Sequence, residues 1–240
     1  MQSVPQSSFF ATSFESIFPK EDTCKLSTLG ISSNKCIDRQ VSVHEHVYQE
    51  GEAQSYIYLV MSGVIGTYKL LSDGRRQICT FAYPGDILGI ECAGQHLNHA
   101  EALCQSFVRS IPSNEIDDLI MSEPGFGKTL LQITATELAN TKEQLLSLGR
   151  KTAAEKLASF LLSIARRSPT SDGSEIYLHL PMKRCDIADY LGLTVETVSR
   201  HFTRLKQAGV IRLLSSNEII VDDLTSLGAL ANGNELCQAH

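Results

Sequence analysis

The segment RCDIADYLGLTVETVSRHF, from Arg184 to Phe202, is the most informative part of this sequence. Its apolar residues have the spacing of a helix-turn-helix, in which two short helices cross over a small core. Ile187 and Leu191 are expected to face inward on the first helix, and Gly192 to make the tight turn after it. The remaining core positions are Ala188, Leu193, Val198 and Phe202. His201 stands where an apolar residue is more usual.

The second helix of the motif is predicted from about Val195 to Gln207. Glu196, Ser199 and Arg200 are spaced i, i+3 and i+4, so they project from one face near the helix N-terminus, the end that enters the DNA major groove. An arginine donates two hydrogen bonds to guanine, a carboxylate accepts one from cytosine, and a serine hydroxyl serves either role. We therefore predict that these three residues read bases. The alternative is a plain exposed ion pair between Glu196 and Arg200.

Cations and hydroxyl groups around the two helices are candidates for contacts with DNA phosphates. These predicted backbone contacts are Lys183, Arg184, Thr194, Thr197 and Arg204. The charge distribution agrees, although the whole chain has a net charge of -6. Residues 148–212 contain 11 Lys and Arg against 6 Asp and Glu, whereas residues 1–147 contain 10 against 17. A solvated basic face is the alternative explanation of this bias.

An antiparallel β domain is predicted from Val41 to about Pro112, where short apolar runs alternate with turn signals. The clearest runs are Tyr56 to Met61 and Gln77 to Phe81, and Asp73-Gly74 is a strong hairpin turn. This pattern is typical of a barrel or roll. Three cysteines at strand-like positions are expected to lie in its core, namely Cys79, Cys92 and Cys104.

Helical composition begins at Glu115 to Ser122, and after Pro124-Gly125 a long helix is predicted to reach Ser147. Leucines recur every seven residues along it, with Thr134, Thr141 and Leu148 three residues after each. This stripe packs either on the chain's own β domain or on a second copy. The DNA-binding motif favours a homodimer, because a two-fold axis matches a palindromic operator. The predicted dimerisation residues are Leu131, Leu138, Leu145 and Leu148.

A further helix from Thr152 to Arg167, a loop from Ser168 to Ser174 and a strand from Glu175 to Leu180 precede the helix-turn-helix. The predicted fold class is therefore α+β. Residues 1–123 form an N-terminal antiparallel β-roll with a flexible N-terminus, residues 124–149 the long dimerisation helix, and residues 150–240 a C-terminal winged helix-turn-helix domain.

The segment YLGLTVETVSR, from Tyr190 to Arg200, strongly resembles the CRP/FNR superfamily in its FNR/FixK branch, whose recognition pattern is E-x-x-S-R. The resemblance covers nearly the whole chain. Leu70 to Gln77 and Pro84-Gly85-Asp86 resemble its cyclic-nucleotide-binding-like β-roll, Gly125 to Leu148 its dimerisation helix, and Leu213 to Val221 its wing. The resemblance implies a transcription regulator rather than an enzyme. Such an activator responds to low oxygen, binds a TTGAT/ATCAA-type palindrome and contacts RNA polymerase.

Some members of this superfamily bind cyclic AMP through an Arg-Ser pair that follows a Gly-Glu in the roll. The N-terminal β domain of this chain lacks that pair. The corresponding region, Gly89 to Glu101, contains no arginine, and no Lys or Arg occurs between Arg76 and Arg109. A buried phosphate without a cation is costly. We therefore expect no cyclic nucleotide to bind.

An iron–sulfur cluster of the FNR type needs four suitably placed thiolates. Only Cys24 and Cys36 lie near the N-terminus, and Arg109 occupies the branch's internal ligand position. This points to the FixK type, for which no cofactor is expected.

The alternative from another class is a metal-dependent cupin-type enzyme on the β-roll, because His44-x-His46 followed by Glu50 resembles a set of metal ligands. Two surface histidines at a strand start explain the same residues. A cupin needs another histidine after a Pro-x-Gly turn, whereas this chain has Pro84-Gly85, and His96 lies too far along. We therefore predict no metal site.

Composition and cysteine usage indicate a globular protein of a reducing compartment. Hydrophobic residues make up 42% and charged residues 20% of the chain. No apolar run is long enough to span a membrane, and the N-terminus lacks the pattern of a secretory signal. The seven cysteines form no CxxC pair. A cytoplasmic protein without a membrane partner is expected.

Cys185 stands at the start of the first helix of the motif, directly after Lys183-Arg184. A helix N-terminus and two cations both favour the thiolate. Oxidation there would add bulk and negative charge beside the DNA phosphates. We predict that Cys185 is redox-sensitive. The alternative is an inert side chain that fills a gap between the helices.

Overall fold

The computed structural model describes residues 36–91, 94–167 and 175–234. The predicted flexible N-terminus, the predicted loop from Ser168 to Ser174 and Cys92 lie outside the described residues. Up to residue 112 the described chain forms antiparallel strands. In chain order they are β1 (Ile37–Val41), β2 (His46–Tyr48), β3 (Tyr56–Ser62), β4 (Ile65–Leu70), β5 (Arg76–Ala82), β6 (Ile87–Leu88), β7 (His99–Ala102) and β8 (Ser106–Pro112).

These strands form two four-stranded sheets, in the orders β1-β8-β3-β6 and β2-β7-β4-β5. The sheets enclose a core in which Val60, Ile65 and Val108 are fully buried. The β4–β5 hairpin reverses at the predicted turn, where Gly74 has a φ of +85° that favours glycine. The predicted β-roll is therefore confirmed.

Two helices follow the roll, α1 (Glu115–Ser122) and α2 (Pro124–Arg150). The second extends three residues beyond the predicted end. One face of α2 packs on the roll through Phe126, Leu130 and Ile133. Within the described ranges, none of the helices combines the length and the apolar character that a membrane span requires.

The C-terminal part surrounds a small antiparallel sheet of order β10-β11-β9 with helices. Its elements are α3 (Ala153–Ala165), β9 (Ile176–His179), α4 (Arg184–Leu191), α5 (Val195–Gln207), β10 (Ile211–Leu213), β11 (Glu218–Val221) and α6 (Leu224–Ala231). Helix α3 begins where Thr152 and Glu155 each accept the other's backbone N–H, which is a capping box.

A second hydrophobic cluster joins residues of the roll to the C-terminal part. Phe81 of β5, Phe160 of α3 and Tyr190 of α4 form an aromatic group with ring centroids 4.9 to 5.9 Å apart. The α+β class is confirmed, while the division at residues 123 and 149 remains a prediction.

Two predicted core cysteines are placed differently. Cys79 is exposed, because its neighbour Ile78 occupies the inward face of β5 and successive strand residues point to opposite faces. Cys104 lies in the turn between β7 and β8 and is only partly buried against the core. The expectation that both cysteines fill buried strand positions was wrong.

Candidate DNA-binding site

Helices α4 and α5 form the predicted helix-turn-helix with the predicted bounds. Helix α4 ends at Leu191, and the next residue, Gly192, has a φ of +62° that provides the tight turn. The Leu193 N–H donates back to the Ala188 carbonyl at 3.0 Å. Helix α5 begins after Thr194, whose hydroxyl accepts the Thr197 N–H at 3.2 Å. Local cap and turn chemistry therefore fixes where α4 stops and where α5 starts.

The core between the two helices contains all but one of the apolar residues that the pattern predicts, because Leu193 is only partly buried. These buried residues are Ile187, Ala188, Leu191, Val198 and Phe202. His201 is buried beside them, and burial together with Arg204 and Arg200 lowers its pKa below the ordinary histidine value. The guanidinium carbon of Arg184 lies 3.6 Å from the centroid of the Phe202 ring, a cation–π contact. Burial lowers the pKa of Arg184.

The three predicted base-reading residues, Glu196, Ser199 and Arg200, are exposed on the first turns of α5. In the described part of the chain no salt bridge joins Glu196 to Arg200, so the plain ion pair is not formed. Hydrogen bonds from the Glu196 backbone and from Thr194 lower the pKa of Glu196. An ionised Glu196 can only accept hydrogen bonds, whereas Arg200 can only donate them. The face therefore presents opposite hydrogen-bonding roles side by side.

The five predicted phosphate contacts lie in different environments. Thr194 and Thr197 lie at the N-terminus of α5 with their hydroxyl oxygens 3.0 Å apart, and Arg204 is exposed in its last turn. Lys183 is exposed, but its Nζ lies 3.2 Å from Nε2 of His44 on the roll. Arg184 packs inside the motif, over the Phe202 ring. Their role in binding phosphate stays a prediction.

Cys185 is exposed in the first turn of α4. It does not fill a gap between the helices, so that alternative is wrong.

The leucine stripe on α2 is exposed to solvent. Leu131, Leu138 and Leu145 have exposed fractions of 70%, 55% and 71%. The alternative that they pack on their own β domain is therefore wrong. Leu148 differs because it is partly buried and its Cδ2 lies beside Gly192 at the turn of the motif.

An ion cluster that the sequence reasoning missed joins the roll to α4. Arg76 Nε donates to Asp189 Oδ2 at 2.8 Å, and its Nη2 donates to Asp186 Oδ1. Burial opposes the charge of Arg76, but these hydrogen bonds outweigh it and raise the Arg76 pKa. The signal in the sequence was the Asp186/Asp189 pair, which the i, i+3 spacing places on one helix face.

His96 lies buried inside the roll. The His96 ring stacks on Tyr48 at a centroid distance of 3.8 Å, and its Nδ1 lies 3.2 Å from Oε2 of Glu91. His96 is 2% exposed. Arg109, at the position where an internal cluster ligand was considered, forms two hydrogen bonds with Asp38 at 2.7 and 2.8 Å.

The residues considered as cupin ligands have separate partners. His44 Nδ1 lies 2.6 Å from Glu101, His46 Nε2 lies 2.8 Å from the Tyr68 hydroxyl, and Glu50 accepts from Lys69. Across the described ranges no three His, Cys, Asp or Glu side chains are grouped so that they could hold a metal ion.

Comparison with known proteins places the chain in a family. Residues 38–123 match the cyclic nucleotide-binding domain, and residues 155–230 match the Crp-like helix-turn-helix domain. The nitrogen fixation regulation protein FixK of Azorhizobium caulinodans is 39% identical over 188 residues, which are 78% of this chain and 76% of that protein. The anaerobic regulatory protein of Haemophilus influenzae is 34% identical over 191 residues, which are 79% of this chain and 74% of that protein.

The solved structure of FixK2 from Bradyrhizobium japonicum superposes with a TM-score of 0.75 at 37% identity. The match covers 81% of this chain and 96% of that structure. Both the sensor-like domain and the DNA-binding domain thus have their counterparts in one set of relatives. The chain belongs to the FixK type of the CRP/FNR family and is a DNA-binding transcription regulator.

Proposed function

We propose that this transcription activator of a low-oxygen response binds a palindrome of the TTGAT/ATCAA type as a homodimer. The relatives named FixK and anaerobic regulatory protein support the response. The observation that carries the proposal is the exposed face of Glu196, Ser199 and Arg200 at the N-terminus of α5. It presents one acceptor, one hydroxyl and one bidentate donor in the pattern of the FNR/FixK branch.

Each residue of this face has a distinct chemical role. Arg200 donates two hydrogen bonds to O6 and N7 of guanine, and Glu196 accepts one from N4 of cytosine. Ser199 donates or accepts between them. The G·C pair of the TTGAT half-site provides both partners within reach of adjacent turns of α5.

The second copy of the chain is the partner of the leucine stripe. Three large apolar side chains on one helix face cost free energy in water, and pairing two α2 helices in parallel removes them from it. The two-fold axis of that pair relates two recognition helices as a palindrome relates its half-sites.

Activation proceeds through RNA polymerase in the cytoplasm, without a cyclic nucleotide, a cofactor or enzymatic chemistry. The absence of Lys and Arg between Arg76 and Arg109 supports this for the nucleotide, since a buried phosphate needs a cation.

Selection of bound sites from random duplex DNA tests the proposal, because half-site, symmetry and spacing emerge together. We expect an enriched TTGAT/ATCAA palindrome. The Arg200→Ala protein, carried through the same selection, should lose the preference at the G·C pair. Enrichment of an asymmetric site or of a single half-site would contradict the homodimer on a palindrome.

A further inference from the structure

The ion cluster around Arg76 is partly withdrawn from water. The side chain of Asp186 is 6% exposed and that of Arg76 is 24% exposed. Buried charges are tolerated when they are paired with good geometry, and removing one partner leaves the other uncompensated. Asp186 is held in place because its second oxygen accepts the Lys183 N–H at 2.8 Å and so closes the first turn of α4. The pair therefore ties the start of α4 to β5.

The other end of α4 is held by two glutamine side chains. Gln77 of β5 donates to the Asp189 carbonyl at 2.7 Å, and Gln144 of α2 donates to the Tyr190 carbonyl at 2.8 Å. These carbonyls belong to the last turn of α4, where a helix leaves such groups without an intrahelical partner. Gln144 directly precedes Leu145 of the leucine stripe. Helix α4 is thus fixed both to the roll and to α2.

We propose that Arg76 is a positioning residue for DNA recognition, which holds α4 on the β-roll and thereby sets the direction of α5 relative to α2. This inference rests on the homodimer and the palindrome proposed above. Helix α5 packs on α4 through the core of the motif, so an orientation imposed on α4 passes to the base-reading face.

The orientation matters because a dimer gains from its second half-site only when both recognition helices engage at once. A helix-turn-helix that is folded but free to swing still recognises one half-site. It loses the advantage of the palindrome and its preference for one spacing. This difference separates positioning from a purely structural role.

The test compares full-length Arg76→Gln with Arg75→Gln, a matched control on the same hairpin. Arg75 is exposed and pairs with Asp73 beside it. Affinity is measured for the palindrome, for the palindrome with one base pair added at its centre, and for a duplex with one half-site. We expect Arg76→Gln to weaken binding to the palindrome by about tenfold or more. Its half-site affinity should stay near that of the parent, and its spacing preference should relax, while Arg75→Gln behaves as the parent.

A double change shows whether Arg76 acts through α4. Asp189→Asn removes a carboxylate that does not cap the helix, and the Arg76→Gln/Asp189→Asn protein should bind the palindrome no more weakly than the weaker single variant. Hydrogen exchange of the α4 amides in DNA-free protein should rise in Arg76→Gln and not in Arg75→Gln. If the parent bound the palindrome no better than a half-site, that result would contradict the proposed function. Hydrogen exchange would still show whether Arg76 holds α4 in place.

Two results would overturn the inference. One is an Arg76→Gln protein that matches the parent in palindrome affinity, spacing preference and exchange of α4. The other is an equal loss of palindrome and half-site affinity together with a lower melting temperature, which would make Arg76 a general folding residue.

Discussion

At the scale of single residues, Arg200 and Glu196 are where DNA recognition can be tested directly. Both are exposed on α5 and have no salt bridge to each other in the described chain. We expect Arg200→Ala and Glu196→Ala each to cost about 1 to 3 kcal/mol at the operator and to relax the preference at the base it reads. Binding titrations on the operator and on single-base variants measure this.

Arg204→Ala is the control for these variants, because a phosphate contact weakens all sequences alike. Arg204→Ala should reduce the slope of log affinity against log salt concentration by about 1. If Arg200→Ala behaved in the same way, Arg200 would bind phosphate and would not read a base.

Cys185 is the residue at which oxidation is predicted to weaken DNA binding. Its thiol is exposed in the first turn of α4, between Arg184 and the capping residue Asp186. We expect Cys185→Ser to bind DNA as the parent does and to resist peroxide. Cys185→Asp should bind weakly even when reduced, since a fixed negative charge would stand beside the phosphates. If peroxide inactivated the parent and Cys185→Ser equally, the sensitive thiol would be a residue other than Cys185.

His201 makes the stability of the DNA-binding part depend on pH. Its pKa is lowered by burial and by Arg204 and Arg200, so the unfolded chain binds the proton more tightly than the folded chain does. The contribution of His201 to the free energy of unfolding is therefore largest above the ordinary histidine pKa. It decreases as the pH drops below about 6.5. Denaturant titrations at neutral and mildly acidic pH should show that the free energy of unfolding decreases less in His201→Gln than in the parent protein. Burial also lowers the pKa of His179, so part of the pH dependence of stability should remain in this variant.

At the scale of elements, the leucine stripe of α2 is predicted to be the dimer seam. Leu138→Glu/Leu145→Glu places like charges opposite each other across a parallel pair, so we expect monomers with weak half-site binding. Analytical ultracentrifugation measures the mass, and Glu143→Lys, an exposed change off the stripe, is the control. A doubly substituted protein that remained dimeric would show that the interface lies elsewhere.

The elements that the sequence predicted well are those whose signals are local. Gly192 indicates the turn after α4, and Thr194 indicates the N-cap of α5. The two helices therefore have the predicted bounds. The Arg76–Asp186 pair joins residues 110 positions apart, and nothing near Arg76 indicates its partner. Cys79 was misplaced for a related reason, because its run of apolar neighbours does not reveal which face of β5 is inward.

At the scale of the whole molecule, one hydrophobic cluster contains residues of both the roll and the winged helix-turn-helix. Phe81 of β5 lies against Phe160 and Tyr190, and Arg76 links the same two parts by charge. We therefore expect a single cooperative unfolding transition in calorimetry, with equal calorimetric and van't Hoff enthalpies at a fixed protein concentration.

Phe81→Ala tests this continuity because it removes the ring that both parts pack against. A buried phenylalanine changed to alanine costs about 3 to 5 kcal/mol, and here the loss falls on the contact between the parts. We expect the single transition to split or broaden as the two parts unfold separately. Phe107→Ala is the matched control, since that ring is 44% exposed on the outer face of β8. It should shift stability by less than about 0.5 kcal/mol and leave one transition. Two resolved transitions in the parent protein would show that the parts are independent and that their shared core does not couple them.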